Sequence, residues 1–211
     1  METKQRRVRE TPEAKLLRLT EIERELWAQG ARIAGIDEVG RGPLAGPVVT
    51  ACVSIPLSRL VPGVDDSKKL SEKKREALYP LLLENAEYAR TSWMEPSVID
   101  EINILSATKR AMEECAAGFT GGMILVDAVD GLKLPVPHRS IIHGDALSYM
   151  IGAASIVAKV ARDHYMIELD EKYPMYGFAR NKGYGTAEHI RAIRKYGPCP
   201  AHRMSFIKHF L

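Results

Sequence analysis

The sequence is poor in cysteine and aromatic residues and contains no long hydrophobic run. Its three cysteines are scattered without the spacing of metal ligands, a usage typical of a reducing cytosol. The longest uncharged stretch, residues 42–58, is interrupted by three prolines and is shorter than the roughly 20 apolar residues that a membrane-spanning helix needs. The charged N-terminus has no apolar run behind it, so no secretory signal is expected. These absences favour a cytoplasmic protein that does not enter a membrane.

Acidic residues are almost absent from the last part of the chain. Residues 173–211 carry 7 Lys and Arg against one acid, Glu188, and they hold 7 of the 14 aromatic residues. Residues 33–172 carry 15 basic against 20 acidic residues, so the net charge of +3 hides an acidic body and a basic end. This distribution is typical of a carboxylate site beside a surface for a polyanion. An ordinary basic helix on an unrelated domain gives the same pattern, so charge alone leaves both interpretations open.

The composition is that of a globular protein, with 45% hydrophobic and 27% charged residues, and 211 residues fit one domain with a short appendage. Residues 1–31 are predicted to form an N-terminal helical extension, a single helix that begins at Thr11-Pro12 and ends at Gly30. In residues 32–211 strands come first and then alternate with helices, which predicts an α/β domain.

Apolar runs, caps and glycines predict the individual elements of that domain. The predicted strands cover residues 32–37, 47–55, 88–94, 123–127 and 140–143. The predicted helices cover residues 71–85, 96–102, 103–117, 147–172 and, as the last helix, the segment from the cap Thr186 to Tyr196.

Three of the apolar strands run directly into acidic residues, which are Asp37 with Glu38, Asp127 and Asp145. The carboxyl ends of strands in an α/β sheet are where ligands gather, and acids collected there repel one another unless a cation shares the site. Oxygen ligands without His or Cys suit Mg²⁺ or Mn²⁺, and two such ions about 4 Å apart would activate a water and stabilise a leaving oxygen in phosphodiester cleavage. A solvated acid at the sheet rim is the alternative for any one of them, and three occurrences disfavour it.

The adjacent pair of acids sets a geometric condition on this interpretation. In a regular strand Asp37 and Glu38 point to opposite faces of the sheet. For both to reach one site, we expect the chain to bend at this point towards the glycines at 40 and 42.

Residues 35–47, Gly-Ile-Asp-Glu-Val-Gly-Arg-Gly-Pro-Leu-Ala-Gly-Pro, closely resemble the opening motif of the type 2 ribonucleases H, the family of bacterial ribonuclease HII. The resemblance continues in the family's order over about residues 33–206. Further matching motifs are Asp66-Ser67-Lys68-Lys69-Leu70, Asn103-Ile104-Leu105, Gly144-Asp145, Arg162-Asp163, Lys182-Gly183-Tyr184-Gly185-Thr186 and Tyr196-Gly197-Pro198 with His202-Arg203.

The resemblance implies an endoribonuclease that nicks the RNA strand of RNA–DNA hybrids. It also implies cleavage on the 5′ side of single ribonucleotides embedded in duplex DNA, leaving 3′-hydroxyl and 5′-phosphate ends. The implied fold is ribonuclease H-like, a mixed sheet flanked by helices with a small helical C-terminal part from about residue 173. A monomer is the implied state, and recruitment by a sliding clamp is left open.

The family's four metal-binding acids fall on Asp37, Glu38, Asp127 and Asp145, which are the implied catalytic residues and ligands of Mg²⁺ or Mn²⁺. A further family aspartate falls on Asp163, either as an auxiliary ligand or as part of a structural network. Asp130, three residues after Asp127, is a rival ligand, and we prefer Asp127 because it directly ends the apolar strand.

The implied substrate contacts begin with the turn Gly40-Arg41-Gly42, whose backbone reads the ribose 2′-hydroxyl in the family with help from a tyrosine that falls on Tyr184. Glycines let a backbone approach a sugar closely, and the 2′-hydroxyl separates RNA from DNA. Donors within the matching motifs are expected to contact phosphates. These are Lys68, Lys69, Asn103, Lys182, His202 and Arg203.

Other functions remain open at this point. One is a type 3-like ribonuclease H or another ribonuclease H-like nuclease; type 3 enzymes carry a larger N-terminal domain and lack the Gly-Arg-Gly turn, which favours type 2. A different class is a catalytically silent protein that binds RNA–DNA hybrids. A pure binder gains nothing from four carboxylates beside phosphates, which favours the enzyme.

Overall fold

A mixed sheet of five strands forms the centre of the computed structural model, which describes residues 10–211. In chain order the strands are β1 (Ile33–Val39), β2 (Val48–Ser54), β3 (Tyr88–Met94), β4 (Met123–Asp127) and β5 (His138–Ile141). Their order across the sheet is β3-β2-β1-β4-β5. β1 pairs antiparallel with β2 and parallel with β4, and β5 is parallel to β4. The predicted α/β class with a mixed sheet is confirmed.

Helices cover both faces of this sheet. In chain order they are α1 (Pro12–Leu19), α2 (Glu21–Ala28), α3 (Glu72–Asn85), α4 (Pro96–Ile102), α5 (Ile104–Ala116), α6 (Gly144–Leu147), α7 (Tyr149–Lys172), α8 (Phe178–Asn181), α9 (Ala187–Tyr196) and α10 (Met204–Ile207). Short 3₁₀ turns occupy Leu57–Arg59 and Pro174–Tyr176. Within residues 10–211, none of these helices has the length and apolar character needed to cross a membrane.

Alternation along the strands divides the core into two layers. Ile33 joins the apolar cluster formed with α7, whereas Ala34 and Ile36 join the cluster formed with α5. Every residue of β2 is buried, because helices cover it from both sides. A third apolar cluster links the end of α7 with α9 and the C-terminal residues. Packing on both faces of the sheet therefore fixes the position of the edge at which β1 and β4 end.

α7 approaches β1 more closely than a side chain would allow. A Cβ atom placed on Gly35 would lie 2.1 Å from the carbonyl carbon of Met150 and 2.3 Å from the nitrogen of Ile151. Glycine is thus required at this position by packing, and it sets the start of α7 directly over the strand that carries Asp37.

The N-terminal extension is two helices where the sequence predicted one. The hydroxyl of Thr20 donates to the carbonyl of Leu16 at 2.7 Å, and the backbone turns at this residue before α2 begins. A threonine whose hydroxyl bonds the preceding turn is known to bend helices. The first nine residues of the predicted extension lie outside the described part of the chain.

α2 docks on the start of α7 through a buried acid. Glu23 accepts hydrogen bonds from the hydroxyl of Ser148 at 2.5 Å and from the N–H of Met150 at 3.0 Å. Burial raises the pKa of Glu23, and the hydrogen bonds from Ser148 and Met150 oppose that rise. A carboxylate at the N-terminus of a helix is stabilised by the helix dipole. The extension therefore braces the helix that covers the sheet.

Three predicted boundaries differ from the structure. The strand predicted over 140–143 is β5, which begins earlier and ends at Ile141. The helix predicted over 147–172 begins only at Tyr149, because the Ser148 side chain accepts from the N–H of Ile151 and caps it after the separate short helix α6. The segment ending at Tyr196 is not the last helix, since α10 follows. The remaining predicted helices and strands lie within two residues of their observed bounds.

Replacing Gly35 with alanine should destabilise the fold by about 3 kcal/mol or more, since the new methyl meets backbone atoms that cannot move aside. Urea unfolding followed by circular dichroism measures this change. Gly118→Ala is the matched control, because its methyl would meet side-chain atoms of Tyr88, the nearest at 3.3 Å, and no backbone atom is as close. A loss at Gly35 no larger than at Gly118 would contradict the packing argument.

Candidate active site

Three aspartates meet at the edge of the sheet where β1 and β4 end. One carboxylate oxygen from each of Asp37, Asp127 and Asp145 lies within 4.8 Å of the other two. Asp37 lies in β1 and Asp127 ends β4; the two strands are parallel, and Ile36 pairs with Val126 one residue earlier. Asp145 reaches the same point from α6, just beyond β5. Asp37 is 3% exposed and Asp145 6%, whereas Asp127 is half-buried.

Hydrogen bonds from the protein hold each carboxylate in place. Asp37 accepts from the N–H of Glu38 at 2.8 Å. Asp127 accepts from the N–H of Gly144 at 2.7 Å, which ties the end of β4 to the helix that carries Asp145. Lys68 reaches over from the loop before α3 and donates to Asp145 at 3.2 Å. The fold therefore fixes the three acids instead of leaving them free to separate.

Glu38 stands beside the three aspartates but outside their closest cluster. Strand pairing continues through Asp37 and Glu38 to Val39, so the two acids belong to one paired segment. The charge of Glu38 raises the pKa of Asp37, so the two carboxylates are close in space. One oxygen of Glu38 lies 3.4 Å from the guanidinium of Arg41, and the other is buried without a hydrogen-bond partner in the described structure. Such an orphaned carboxylate oxygen is a free ligand position.

The electrostatics of the cluster are unfavourable without a cation. Burial and the neighbouring charges of Glu38 and Asp127 raise the pKa of Asp37 well above its usual range. Burial also raises the pKa of Glu38 and of Asp127; Arg41 opposes the rise at Glu38, and the hydrogen bond from Gly144 opposes it at Asp127. Hard oxygen ligands that repel one another are the donor set that Mg²⁺ and Mn²⁺ take. A divalent cation fits the residues present.

Among residues 10–211, Lys68 is the cationic side chain that forms an ion pair with one of the three aspartates, at 3.2 Å from Asp145. Burial by itself would lower its pKa, but the hydrogen bond and charge of Asp145, with Asp37 and Asp66, raise it. The Lys68 side chain is 78% exposed, so its single charge only partly offsets the cluster.

The rival ligand Asp130 and the auxiliary candidate Asp163 do not join the three aspartates. Asp130 is exposed and does not belong to the cluster of three. Asp163 is buried on α7, where Lys159 donates to it at 2.7 Å and Arg75 lies 3.8 Å away. Both of its oxygens face cations of the protein, so the structure gives Asp163 the network alternative and not the position of an auxiliary ligand.

The turn Gly40-Arg41-Gly42 follows β1 directly and meets the loop that carries Tyr184. A Cβ atom on Gly42 would lie 4.0 Å from a ring carbon of Tyr184, whose side chain is 44% exposed. The backbone φ of Gly40 is +91°, a conformation that favours glycine. Turn and tyrosine thus form one surface beside the acids.

The remaining predicted contacts divide into exposed and buried side chains. Lys68, Lys69 and Asn103 are exposed and Lys182 is half-buried; Asn103 also caps α5 by accepting from the N–H of Ser106. His202 and Arg203 are 2% and 0% exposed, and the partners of both lie within the protein. The expected phosphate contact of these two side chains is therefore corrected to an internal one, because a phosphate cannot reach them.

His189 is a buried residue that the sequence analysis did not select. Its Nε2 lies 3.0 Å from Nε2 of His202, and its Nδ1 lies 2.9 Å from the carbonyl oxygen of Tyr184. A signal was present, since His189 lies on the apolar face of α9 beside Ala192 and Ile193, where an exposed residue is not expected.

Comparison with known proteins agrees with this geometry. A family model described as Ribonuclease HII matches residues 34–209. The chain belongs to the ribonuclease HII family. A Ribonuclease HII of Desulfitobacterium hafniense (strain DSM 10664 / DCB-2) is 52% identical over 187 residues, which are 87% of this chain and 72% of that protein. As a ribonuclease HII chain, the protein is a metal-dependent hydrolase that acts on nucleic acid.

Solved structures of the family share the fold. The ribonuclease H2 from Pyrococcus horikoshii OT3 has a TM-score of 0.70 at 26% identity and covers 85% of this chain and 98% of its own. The RNase HII of Archaeoglobus fulgidus, solved as a complex with PCNA, has a TM-score of 0.70 at 27% identity and covers 82% of this chain and 94% of its own. The ribonuclease H-like fold implied by the sequence is confirmed.

Replacing Asp37 with asparagine removes one of the buried carboxylates and keeps an oxygen that accepts from Glu38. We expect the metal-free Asp37→Asn variant to be more stable by about 1 kcal/mol, which raises Tm by about 2–4 °C. Mg²⁺ or Mn²⁺ should raise the Tm of the unaltered protein by mass action and that of the variant much less. Calorimetry with EDTA and with each cation measures both effects.

The matched control is Asp130→Asn, which removes an exposed carboxylate outside the cluster. It should leave both the metal-free Tm and the response to cations unchanged. Two results for Asp37→Asn would contradict a cation site at the three aspartates. One is a lower metal-free Tm than that of the unaltered protein, and the other is an undiminished rise in Tm with cations.

Proposed function

We propose that this ribonuclease HII chain cleaves the RNA strand of RNA–DNA hybrids and also cuts on the 5′ side of single ribonucleotides embedded in duplex DNA, leaving 3′-hydroxyl and 5′-phosphate ends. The observation that carries the proposal is the continuity of β1. The strand that holds Asp37 and Glu38 leads within two residues into the turn that meets Tyr184. A candidate hydrolytic centre and a candidate ribose-reading surface are thus parts of one rigid segment.

The residues that would hold the divalent cations are Asp37, Glu38, Asp127 and Asp145. Held by these residues, two Mg²⁺ or Mn²⁺ ions would supply activation of the attacking water and stabilisation of the leaving oxygen in phosphodiester hydrolysis. Asp37 and Asp145 contribute buried carboxylates fixed by the sheet and α6, and Glu38 contributes an oxygen without another partner. Lys68 presents an exposed ammonium at the same edge, where it would attract the scissile phosphate.

Ribose selection is assigned to the turn and the tyrosine. The glycines at 40 and 42 leave no side chain between backbone and sugar, and the 2′-hydroxyl is the group that separates RNA from DNA. The ring of Tyr184, half exposed beside Gly42, would stack on the sugar of the following deoxynucleotide and disfavour a hydroxyl there. Together these contacts would select a junction from RNA to DNA.

Phosphate binding is assigned to the accessible donors of the motifs that match the family. Lys69 is exposed and lies 3.6 Å from Asp66. Asn103 is exposed, its oxygen caps α5, and among residues 10–211 its amide N–H₂ donates to no other group. Lys68 and Lys182 complete the set. Contacts of this kind fix a duplex in register and carry no sequence information.

The test is cleavage of a DNA duplex containing one ribonucleotide, run beside a long RNA–DNA hybrid with Mg²⁺ or Mn²⁺. Cutting 5′ of the single ribonucleotide is the expected result. Cutting of the long hybrid alone would point to type 3-like behaviour, and binding without cleavage would leave only a hybrid-binding protein.

Asp37→Asn should abolish cleavage and keep duplex affinity within a few-fold, with Asp130→Asn as the active control.

Removing the ring of Tyr184 should affect the two substrates unequally. Tyr184→Ala is expected to lower kcat/KM for the single-ribonucleotide duplex by about 10-fold or more and to lower it less for long hybrids, because only the former depends on one RNA-to-DNA junction. Tyr196→Ala removes an equally exposed tyrosine from α9 and should change neither. Equal losses on both substrates would rule out junction reading by Tyr184.

A further inference from the structure

We propose that Arg203 is a positioning residue for ribose selection, one that holds the Gly40-Arg41-Gly42 turn so that two successive backbone N–H groups face the substrate. The inference rests on the proposed function and extends it from the residues that would touch the nucleic acid to the buried side chain behind them.

The guanidinium of Arg203 is fully buried and is committed to backbone carbonyls. It donates to the carbonyl of Gly40 at 2.6 Å, to that of Arg41 at 3.0 Å and to that of Gly46 at 2.8 and 3.0 Å. No carboxylate is among its hydrogen-bond partners within the described residues. One rigid planar group therefore joins both ends of the loop between β1 and β2.

Burying the charge of the Arg203 guanidinium costs free energy of desolvation. Burial and the nearby charge of Arg162 lower the pKa of Arg203 to about 9. The charge of Asp100 opposes this lowering of the pKa, although Asp100 does not hydrogen-bond to the guanidinium in the described structure. A buried cation is tolerated only when its donors are satisfied, and the planar fork of arginine matches several carbonyls at fixed angles. A neutral side chain would fill the same space without the free-energy cost of a buried charge. The contacts therefore point to a role in orienting the Gly40-Arg41-Gly42 turn.

Peptide geometry converts these contacts into an outward-facing surface. Every peptide bond of the described chain is trans, so each N–H points opposite to the carbonyl of the preceding residue. The carbonyl of Gly40 faces Arg203, which turns the N–H of Arg41 away from it. The carbonyl of Arg41 does the same for the N–H of Gly42. In the described structure neither N–H donates to another group of the protein.

The same C-terminal segment also holds Tyr184. His202, the neighbour of Arg203, contacts His189 at 3.0 Å, and His189 contacts the carbonyl of Tyr184 at 2.9 Å. The N–H of Arg203 donates to the carbonyl of Leu44 at 2.9 Å, which fixes its own backbone against the loop. Two adjacent residues thus hold the two parts of the surface: Arg203 holds the turn, and His202 holds Tyr184 through His189.

The first test compares Arg203→Lys with Arg162→Lys. Arg162 is an equally buried arginine whose side chain also packs against Gly40, since a Cβ atom there would lie 2.4 Å from its Nε. It donates to the carbonyls of Ala45, Pro47 and Lys182 but not to those of the turn, so the comparison isolates the hydrogen bonds that Arg203 makes to the turn. Each protein is assayed well below its own Tm. The readouts are kcat/KM on the single-ribonucleotide duplex, and the ratio of affinities for that duplex and an all-DNA duplex, measured with Ca²⁺ in place of Mg²⁺.

Arg203→Lys is expected to lower kcat/KM by about 10-fold to 100-fold and to reduce the ribose preference in binding towards one, with all-DNA affinity within about 2-fold. Arg162→Lys should keep the ribose preference even where it loses similar stability. The inference is overturned if Arg203→Lys keeps the preference, or if both variants lose it equally. Absence of any ribose preference in the unaltered protein would instead refute the proposed function.

A second test needs no variant and covers the case in which Arg203→Lys does not fold. Nuclear magnetic resonance of the unaltered protein should show separate, slowly exchanging signals for the Arg203 guanidinium. Adding the single-ribonucleotide duplex with Ca²⁺ should shift the amide signals of Arg41 and Gly42, and adding the all-DNA duplex should shift them less. A freely rotating guanidinium, or equal shifts with both duplexes, would contradict the inference.

Discussion

Parallel pairing between β1 and β4 is the constraint on which the rest of the structure depends, since it brings two strand ends that carry acids to one edge. Asp37 and Asp127 cannot separate without breaking the sheet, and Asp145 is tied to the same edge through Gly144. The repulsion this creates is tolerated because helices on both faces hold the strands rigidly. The metal-binding chemistry of the family therefore follows from a backbone arrangement that forces like charges together.

Positive charge is also buried in this protein, against the Gly40-Arg41-Gly42 turn. Arg162 and Arg203 are enclosed among carbonyl oxygens, while the acids are enclosed near the sheet edge. Every hydrogen bond that the two guanidinium groups donate in the described structure goes to a backbone carbonyl and none to the acid cluster. The acids are left with their mutual repulsion, whereas the arginine donors are satisfied by backbone carbonyls.

The sheet and the acid cluster could be predicted from the sequence because each acid follows an apolar run, and parallel strand ends share an edge. The break at Thr20 could not, since it depends on one hydroxyl bonding a carbonyl within an otherwise regular helical pattern. The burial of His202 and Arg203 could not be predicted from the sequence either. Basic residues after Gly-Pro have the pattern of an exposed loop, and their actual partners lie far away in the chain.

The bond between Arg203 and Gly40 joins residues 163 positions apart. Contacts of such long sequence separation form late, because the intervening chain must first be ordered. During synthesis the residues of β1 leave the ribosome long before Arg203 does. A growing chain can therefore pair the strands of its sheet while the turn beside Asp37 still lacks its hydrogen bonds to the Arg203 guanidinium.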